Sequence, residues 1–410
     1  MKNISINYEK INFSLLLILP LSLLFGTLIS EIIIFFINFI FLSKSYKNKN
    51  WEWTKNIEFK FLLFIWIYLI LNSIFANNFS LSISRGLFFF RFILLAFAIS
   101  EILKNENLKK KIFTCWIALV IFVSIDIYAE FLFKKNLLGN YSLYPDRIAS
   151  FTGKELKIGH YLSALFLLPF SFFIDENNYK NIKIYFVLLF FLAFISFAIL
   201  ATGERSNSIR AIFCLILFIT LLKQKNKLVK YIIIGFFIIS SYAVIDNINK
   251  IKNRYTEIIE NINKPIILLK STQHGAHYVT AWKIFKNYPY LGVGNKNFRE
   301  ECEKSIYADS SYKFTSFRCS THPHQIYLEF LSELGILGTL LIVSFVFFIS
   351  TKALLIYLKN CKSIILAPTL YIASTFLPII PSGSFFTSFG ATLFWLNVGI
   401  MFSLYKKNIK

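Results

Sequence analysis

The chain lacks most of what marks a soluble or nucleotide-using protein. No Pro-, Ser- or Gly-rich linker and no low-complexity tail interrupts its 410 residues, and no internal repeat is visible. There is no P-loop and no aspartate pair of the metal-dependent transferase kind, so no segment invites a nucleotide. Histidine and cysteine number five each. Cys319, His322 and His324 stand close together, but their spacing matches no strong zinc pattern, and no metal or other cofactor is expected. The first apolar run lacks a small-residue cleavage pattern and is followed by many more, which argues against a cleavable signal peptide. Acidic residues are scarce as well, 22 against 44 Lys and Arg.

Apolar residues fill the space that these absences leave. The chain is 56% hydrophobic, with 48 Phe and a mean hydropathy of +0.59. Uncharged runs of about 18 residues read as membrane helices. They fall near 12–25, 28–43, 57–76, 84–103, 112–133, 159–175, 182–200, 207–223, 229–245, 335–356, 363–380 and 386–405. Residues 11–43 would span roughly 50 Å as one helix against a ~30 Å hydrocarbon core, so two helices turning at Gly26 are expected. The expected fold class is an all-α polytopic membrane protein with about 12 transmembrane helices. One large outer loop separates the ninth span from the tenth. The chain then divides into a bundle of about nine spans (1–245), a loop with short helices (246–334) and a closing bundle of about three spans (335–410).

A net charge of +22 suggests nucleic acid at first sight. The Lys clusters between spans, however, follow the positive-inside pattern. They lie around 44–55, 104–111, 180–183, 223–230, 352–362 and 406–410, while the alternating short loops around 26, 77–82, 201–206 and 381–385 are almost free of Lys. The bilayer, not nucleic acid, is the expected partner, and residues 134–158 and 246–334 become outer loops. Arginine follows a different rule. All eight (Arg85, Arg91, Arg147, Arg205, Arg210, Arg254, Arg299, Arg318) lie in outer loops or near the outer ends of spans. So do all five histidines, His160, His274, His277, His322 and His324. An orientation signal needs only point charges, whereas the guanidinium fork suits phosphate or carboxylate, so the outer face is expected to handle an anion.

Individual segments refine this. Arg85 near a span end is explained by snorkelling; Arg91, about 9 Å deeper, is the better candidate for a cavity. Arg205 and Arg210 sit in a short turn opening a helix, where backbone N–H groups add to an anion site. Trp282–Pro289 reads as an amphipathic helix stopped by proline, and the glycines that follow, Gly292 and Gly294, as a tight turn. Cys302 and Cys319 share the outer loop, and a disulfide between them is expected in an oxidising compartment. His322 and His324 flank Pro323 ahead of a helix over 324–334 that carries Glu329 and Glu333 on one face. A histidine at such a boundary can move a proton near neutral pH.

Taken together, these segments resemble the superfamily of O-antigen ligases and O-antigen polymerases of the bacterial envelope. His322-Pro323-His324-Gln325-Ile326-Tyr327-Leu328-Glu329 through Glu333-Leu334-Gly335-Ile336-Leu337-Gly338 is similar to the family's His-Asn-x-x-Leu…Glu-x-Gly-x-x-Gly signature, with Gln325 in place of Asn. Pro289-Tyr290-Leu291-Gly292-Val293-Gly294 matches Pro-x-x-Gly-x-Gly, and Gly203–Ser206 and Arg147–Glu155 also look like family segments. The resemblance implies a multi-pass enzyme of the inner membrane whose active face is periplasmic. It would move a glycan from undecaprenyl diphosphate to a sugar hydroxyl, on lipid A–core or on a growing glycan. His324, helped by His322, would serve the acceptor. Arg205, Arg210, Arg91, Arg147, His277, Arg299 and Arg318 would serve the diphosphate, with Glu329 and Glu333 in support. Ligases of the family carry an Arg four residues before the Trp; here that position is Tyr278, so His277, Arg254, Arg299 or Arg318 must take its place. Two other readings use the same features: an O-antigen polymerase joining repeat units, and a polysaccharide flippase. Transport predicts charges at mid-membrane and internal repeats, and neither pattern is present.

Overall fold

A single glycine decides how the chain enters the membrane. In the computed structural model Gly26 (φ 143°) separates α1 (Lys2–Phe25) from α2 (Thr27–Lys47). The structure describes residues 2–144, 146–153, 155–176, 182–222, 234–235, 238–239, 242, 272–311 and 313–405. Most of the expected span at 229–245, Arg254 and residues 246–271 of the outer loop therefore lie outside the described residues.

The following helices are α3 (Ile57–Ile74), α4 (Phe79–Ile102), α5 (Glu106–Phe133), α6 (Ile158–Leu165), α7 (Leu167–Glu176), α8 (Ile182–Ala201) and α9 (Arg205–Leu221). After the undescribed stretch come α10 (Gln273–Asn287), α11 (Phe298–Glu301), α12 (Ile326–Asn360), α13 (Leu366–Thr375) and α14 (Ser388–Tyr405). No strand occurs among the described residues. Eight helical segments among them are long and apolar enough to cross a membrane: Tyr8–Phe25, Thr27–Lys47, Ile57–Ile74, Phe79–Ile102, Glu106–Phe133, Ile158–Glu176, Ile326–Asn360 and Ser388–Tyr405. Leu189–Ala201 and Ser363–Thr375 are apolar but shorter. Away from a break at Gly335, their backbone groups are paired within each helix, as hydrocarbon requires. Starts are sealed by side chains: Asn78, Thr272 and Gln325 accept from the N–H groups of Leu81, Gly275 and Leu328.

α4 is the centre of packing, flanked by α3, α2 and α14. Phe92, Ile93, Leu95, Ala96 and Ile99 are buried there, and α14 comes close enough that a Cβ on Gly399 would lie 2.8 Å from the Ala96 carbonyl. Large apolar side chains also cover the exterior, Phe35 at 63% exposure and Phe347 at 73%, the surface a lipid environment accepts.

The feature that places the site is in α12. It extends from Ile326 to Asn360 but is broken at Gly335, which leaves helical geometry (φ 65°, ψ −172°) at the loop–span boundary that the sequence suggests at 334/335. The freed backbone pairs with the turn after α10. Val293 and Gly294 donate to the carbonyls of Ser332 and Glu333 at 3.0 and 2.9 Å, and Ile336 donates to Pro289 at 2.9 Å. Two main chains meet with no side chain between them. A Cβ on Gly335 would lie 2.2 Å from the Tyr290 carbonyl, and one on Gly292 2.4 Å from the Glu333 carbonyl carbon. Asn72 of α3 donates to Leu291 at 2.6 Å and Tyr68 to Leu334 at 2.6 Å, which fixes the joint to the bundle. We expect Gly335→Ala to destabilise the protein by about 1–3 kcal/mol, because the new side chain meets both a positive φ and a backbone clash. Thermal unfolding in detergent checks this; an unchanged midpoint would contradict the joint.

Candidate functional site

The segment between the disulfide and α12 is drawn back against α10. Cys302, at the end of α11, is bonded to Cys319 with Cα atoms 5.4 Å apart. Cys319 is therefore not available to a zinc set with His322 and His324. α12 begins at Ile326 with Gln325 as its N-cap, two residues later than the sequence suggests, so His324 stays outside the helix. His324 has φ 59°, uncommon for a residue with a side chain, and its carbonyl accepts from Ser382 N–H at 2.8 Å.

This backbone turns His324 into a group of four imidazoles. Its ring centroid lies 4.1 Å from His322, 5.2 Å from His277 and 5.3 Å from His274. The last two come from neighbouring turns of α10 and stand 6.3 Å apart. His277 Nδ1 lies 3.0 Å from the Arg318 carbonyl; a carbonyl only accepts, so this nitrogen carries the proton. His324 Nε2 lies 3.0 Å from the Ser320 hydroxyl, and His322 Nδ1 3.0 Å from Thr321. His322 Nε2 and His274 Nδ1 are buried without a hydrogen-bond partner. Burial first, then the neighbouring imidazoles, lowers His324 to about 3; burial, His277 and Arg299 bring His322 to about 4. His274 falls to about 4 through burial, His277, Arg205 and Arg147. The cluster is thus neutral at physiological pH and can accept a proton.

The arginines fall into separate environments. Arg147 and Arg205 act on His274. Arg210 is buried at 5% exposure; it donates to the Pro381 carbonyl at 3.2 Å, and its Nε has no partner. Around it stand Tyr278 and Tyr371, with His160 bonded to Tyr371 at 2.9 Å. Arg299 sits apart, beside His322, Arg85 and Lys296. Arg91 lines a groove, as the sequence suggests, but Glu31 holds it there with two bonds of 2.7 and 2.8 Å, and Phe88 accepts from it at 2.6 Å. Arg318 braces the loop through the carbonyls of Cys302 (3.0 Å) and Glu303 (2.8 Å). Seven of the eight arginines nevertheless converge on one end of the bundle, Arg254 lying outside the described residues.

Glu329 and Glu333 are structural receivers. Glu333 accepts from the N–H groups of Lys296 (2.8 Å) and Phe298 (3.2 Å); Glu329 accepts from Phe385 N–H at 3.0 Å and from the Ser384 hydroxyl. They hold the two loops that wall the site. The glycine turn binds no anion, since its N–H groups are taken by Tyr288, Ser332 and Glu333. Sequence reasoning passed over three residues. His274 lies three residues before His277, one helical turn, which could have flagged it. Glu204, raised to about 7 chiefly by burial, accepts from Gly159 N–H at 2.8 Å and so locks α6 to the turn bearing Arg205. Lys296 carries no local signal.

Comparison with known proteins adds one finding. Residues 188–343 match a family model described as O-Antigen ligase. The match holds all four clustered histidines, Arg205, Arg210 and Arg299. No curated protein matches the chain.

Two expectations follow from the geometry. Cys302 and Cys319 should resist a thiol reagent until reduced; ready labelling of the unreduced protein would exclude the bond. The depressed imidazoles bear on stability. The unfolded chain takes up protons near pH 6.5, the folded His322 and His324 only near 4 and 3. Their contribution is complete above about 6.5 and is lost as pH falls toward those values. Glu204 has the opposite sign. The comparison is therefore between the wild type and His322→Gln/His324→Gln, whose midpoint should fall less between pH 7 and 5; parallel curves would contradict the assignment.

Proposed function

The match over residues 188–343 assigns the chain to the O-antigen ligase and polymerase superfamily, and on that premise we propose a ligase-type reaction. The protein moves a glycan from undecaprenyl diphosphate to a sugar hydroxyl of lipid A–core. The histidine end of the bundle faces the periplasm, in keeping with Lys at the opposite loops and Arg at this one. One observation carries the reading: a neutral imidazole, His324, has its Nε2 on a hydroxyl 3.0 Å away while a buried, scarcely satisfied guanidinium, Arg210, stands nearby.

The chemistry divides between these groups. His324 takes the acceptor's hydroxyl proton as the acceptor oxygen bonds to the anomeric carbon, and the bond from that carbon to the diphosphate oxygen breaks. Ser320 occupies the place of that hydroxyl. Negative charge grows on the leaving diphosphate, where fixed cations are most effective in a water-poor site. Arg147, Arg205 and Arg210, with His277, form that set. His322 lies against His324 and raises the cost of protonating it, a cost that the negative charge growing on the diphosphate must offset. Tyr278, where family ligases have arginine, stacks on His274 with centroids 6.2 Å apart. No added cation is needed at that position, because Arg210 lies beneath it.

His324→Ala should lower transfer by about a hundredfold or more, the usual contribution of a positioned base, with membrane insertion intact. Unchanged surface glycan in that strain would exclude the role. A deletion strain examined by lipopolysaccharide gel tests the acceptor. Loss of all core-linked glycan supports ligation; a single capped unit without a ladder supports polymerisation.

A further inference from the structure

Outside the histidine chamber the structure holds a second cationic set that the proposed reaction does not use. A groove of ≈ 770 Å³ runs between α2 and α4, within the range typical of ligand sites. Its walls are apolar, among them Phe35, Phe39, Leu42 and Phe88. Phe39 and Phe88 are 59% and 67% exposed, so the groove opens sideways from spanning helices, where only a lipid has access. The one carboxylate in it, Glu31, is neutralised by Arg91.

Arg85 and Lys296 line the groove and also line a narrow hollow with Arg299, Thr321 and His322. The three cations crowd one another. Lys296 is lowered from its usual value by burial, then by Arg85 and Arg299. None of the three forms an ion pair among the described residues. Arg85 donates to the Phe386 carbonyl at 2.8 Å; Arg299 reaches only the Thr321 carbonyl, at 3.4 Å, and its Nε is buried without a partner. The carboxylates of Glu329 and Glu333 also line this hollow, but they are occupied by Ser384, Phe385 N–H, Lys296 N–H and Phe298 N–H. Such a cluster calls for an anion, and the groove beside it calls for a hydrocarbon chain.

We propose that this groove binds the acceptor as an anionic, phosphate-bearing lipid, with its chain between α2 and α4 and its phosphate on Arg85, Lys296 and Arg299. The assignment to the acceptor rests on the transfer reaction proposed above. There the donor diphosphate occupies the Arg147–Arg205–Arg210 side of the histidines, and both substrates must be present at once. Lys296 and Arg299 border His322 across the hollow, so a phosphate held there lies on the His322 side of the imidazole group.

The test has two arms, both on the full-length protein in detergent. In the first, wild type, Lys296→Gln/Arg299→Gln and Phe39→Trp are titrated with a fluorescent diacyl phosphatidic acid. Phe39→Trp keeps every charge and narrows an exposed stretch of groove. Saturable binding should weaken at least tenfold in both variants. Phosphatidylcholine and inorganic phosphate should each compete at least tenfold more weakly than unlabelled phosphatidic acid. Equal competition by phosphatidylcholine, full competition by inorganic phosphate, or unchanged binding in the double variant would overturn the site. In the second arm, the double variant should raise the KM for lipid acceptor at least tenfold and leave the donor KM within twofold. A rise in the donor KM alone would overturn the acceptor assignment. The first arm needs no turnover, so a wild type that binds lipid but transfers no glycan would refute the reaction and leave the lipid site standing.

Discussion

Everything at the histidine end depends on one contact between two stretches of bare backbone. The turn Pro289–Gly294 lies against α12 where that helix breaks at Gly335, and glycine on both sides lets the chains exchange hydrogen bonds directly. In hydrocarbon a helix break leaves polar groups that must find partners, and the turn supplies them. Because α10 leads into that turn and the 295–322 segment leads out of it, the joint sets the position of His274 and His277 relative to His322 and His324. Asn72 and Tyr68 of α3 bond to the same joint, so the loop is fixed to the bundle core rather than laid on its surface.

From that anchor, buried carboxylates distribute order. Glu333 holds the start of α11, Glu329 holds residues 384–385, and Glu204 holds the start of α6. Each accepts backbone N–H groups, which suits a carboxylate withdrawn from water. The acidic residues are few, and those near the site keep loops in place rather than neutralising arginines. Arg85, Arg299 and Lys296 are thereby left without an ion pair on one side of the imidazole group among the described residues, and Arg210 lies buried on the other. A protein that brings together two anionic lipids for transfer would need that distribution.

The histidines illustrate how burial alone tunes chemistry. Their low proton affinity comes first from desolvation and then from one another, and no carboxylate is placed to raise it. A cluster of this kind is a neutral acceptor over the physiological range. Its cost is sensitivity to acid, because the unfolded chain binds protons that the folded one refuses. His324 also holds a positive φ, so its position is imposed by the Ser382 bond and the disulfide-tethered loop rather than by local preference.

Much of this was legible in the residues. Apolar run length against bilayer thickness sets the helical, multi-pass architecture, and Gly26 marks the first turn because 11–43 is too long for one straight span. The one-sided arginines and the dense His322–Glu333 segment announce where polar chemistry concentrates, since such groups survive near lipid only when grouped. Tertiary structure decided what these groups touch. Depth alone made Arg91 a cavity residue, and it lines a groove, yet Glu31, some sixty residues earlier, neutralises it there. Glu329 and Glu333 share a helix face, but their partners come from loops distant in the chain. Lys296 and Arg85 become a pair with Arg299 only when α4 and the 295–299 segment meet. Sequence periodicity reports the environment along one helix; pairing between helices is set by how the chain closes, and that information resides in the packing of the whole bundle.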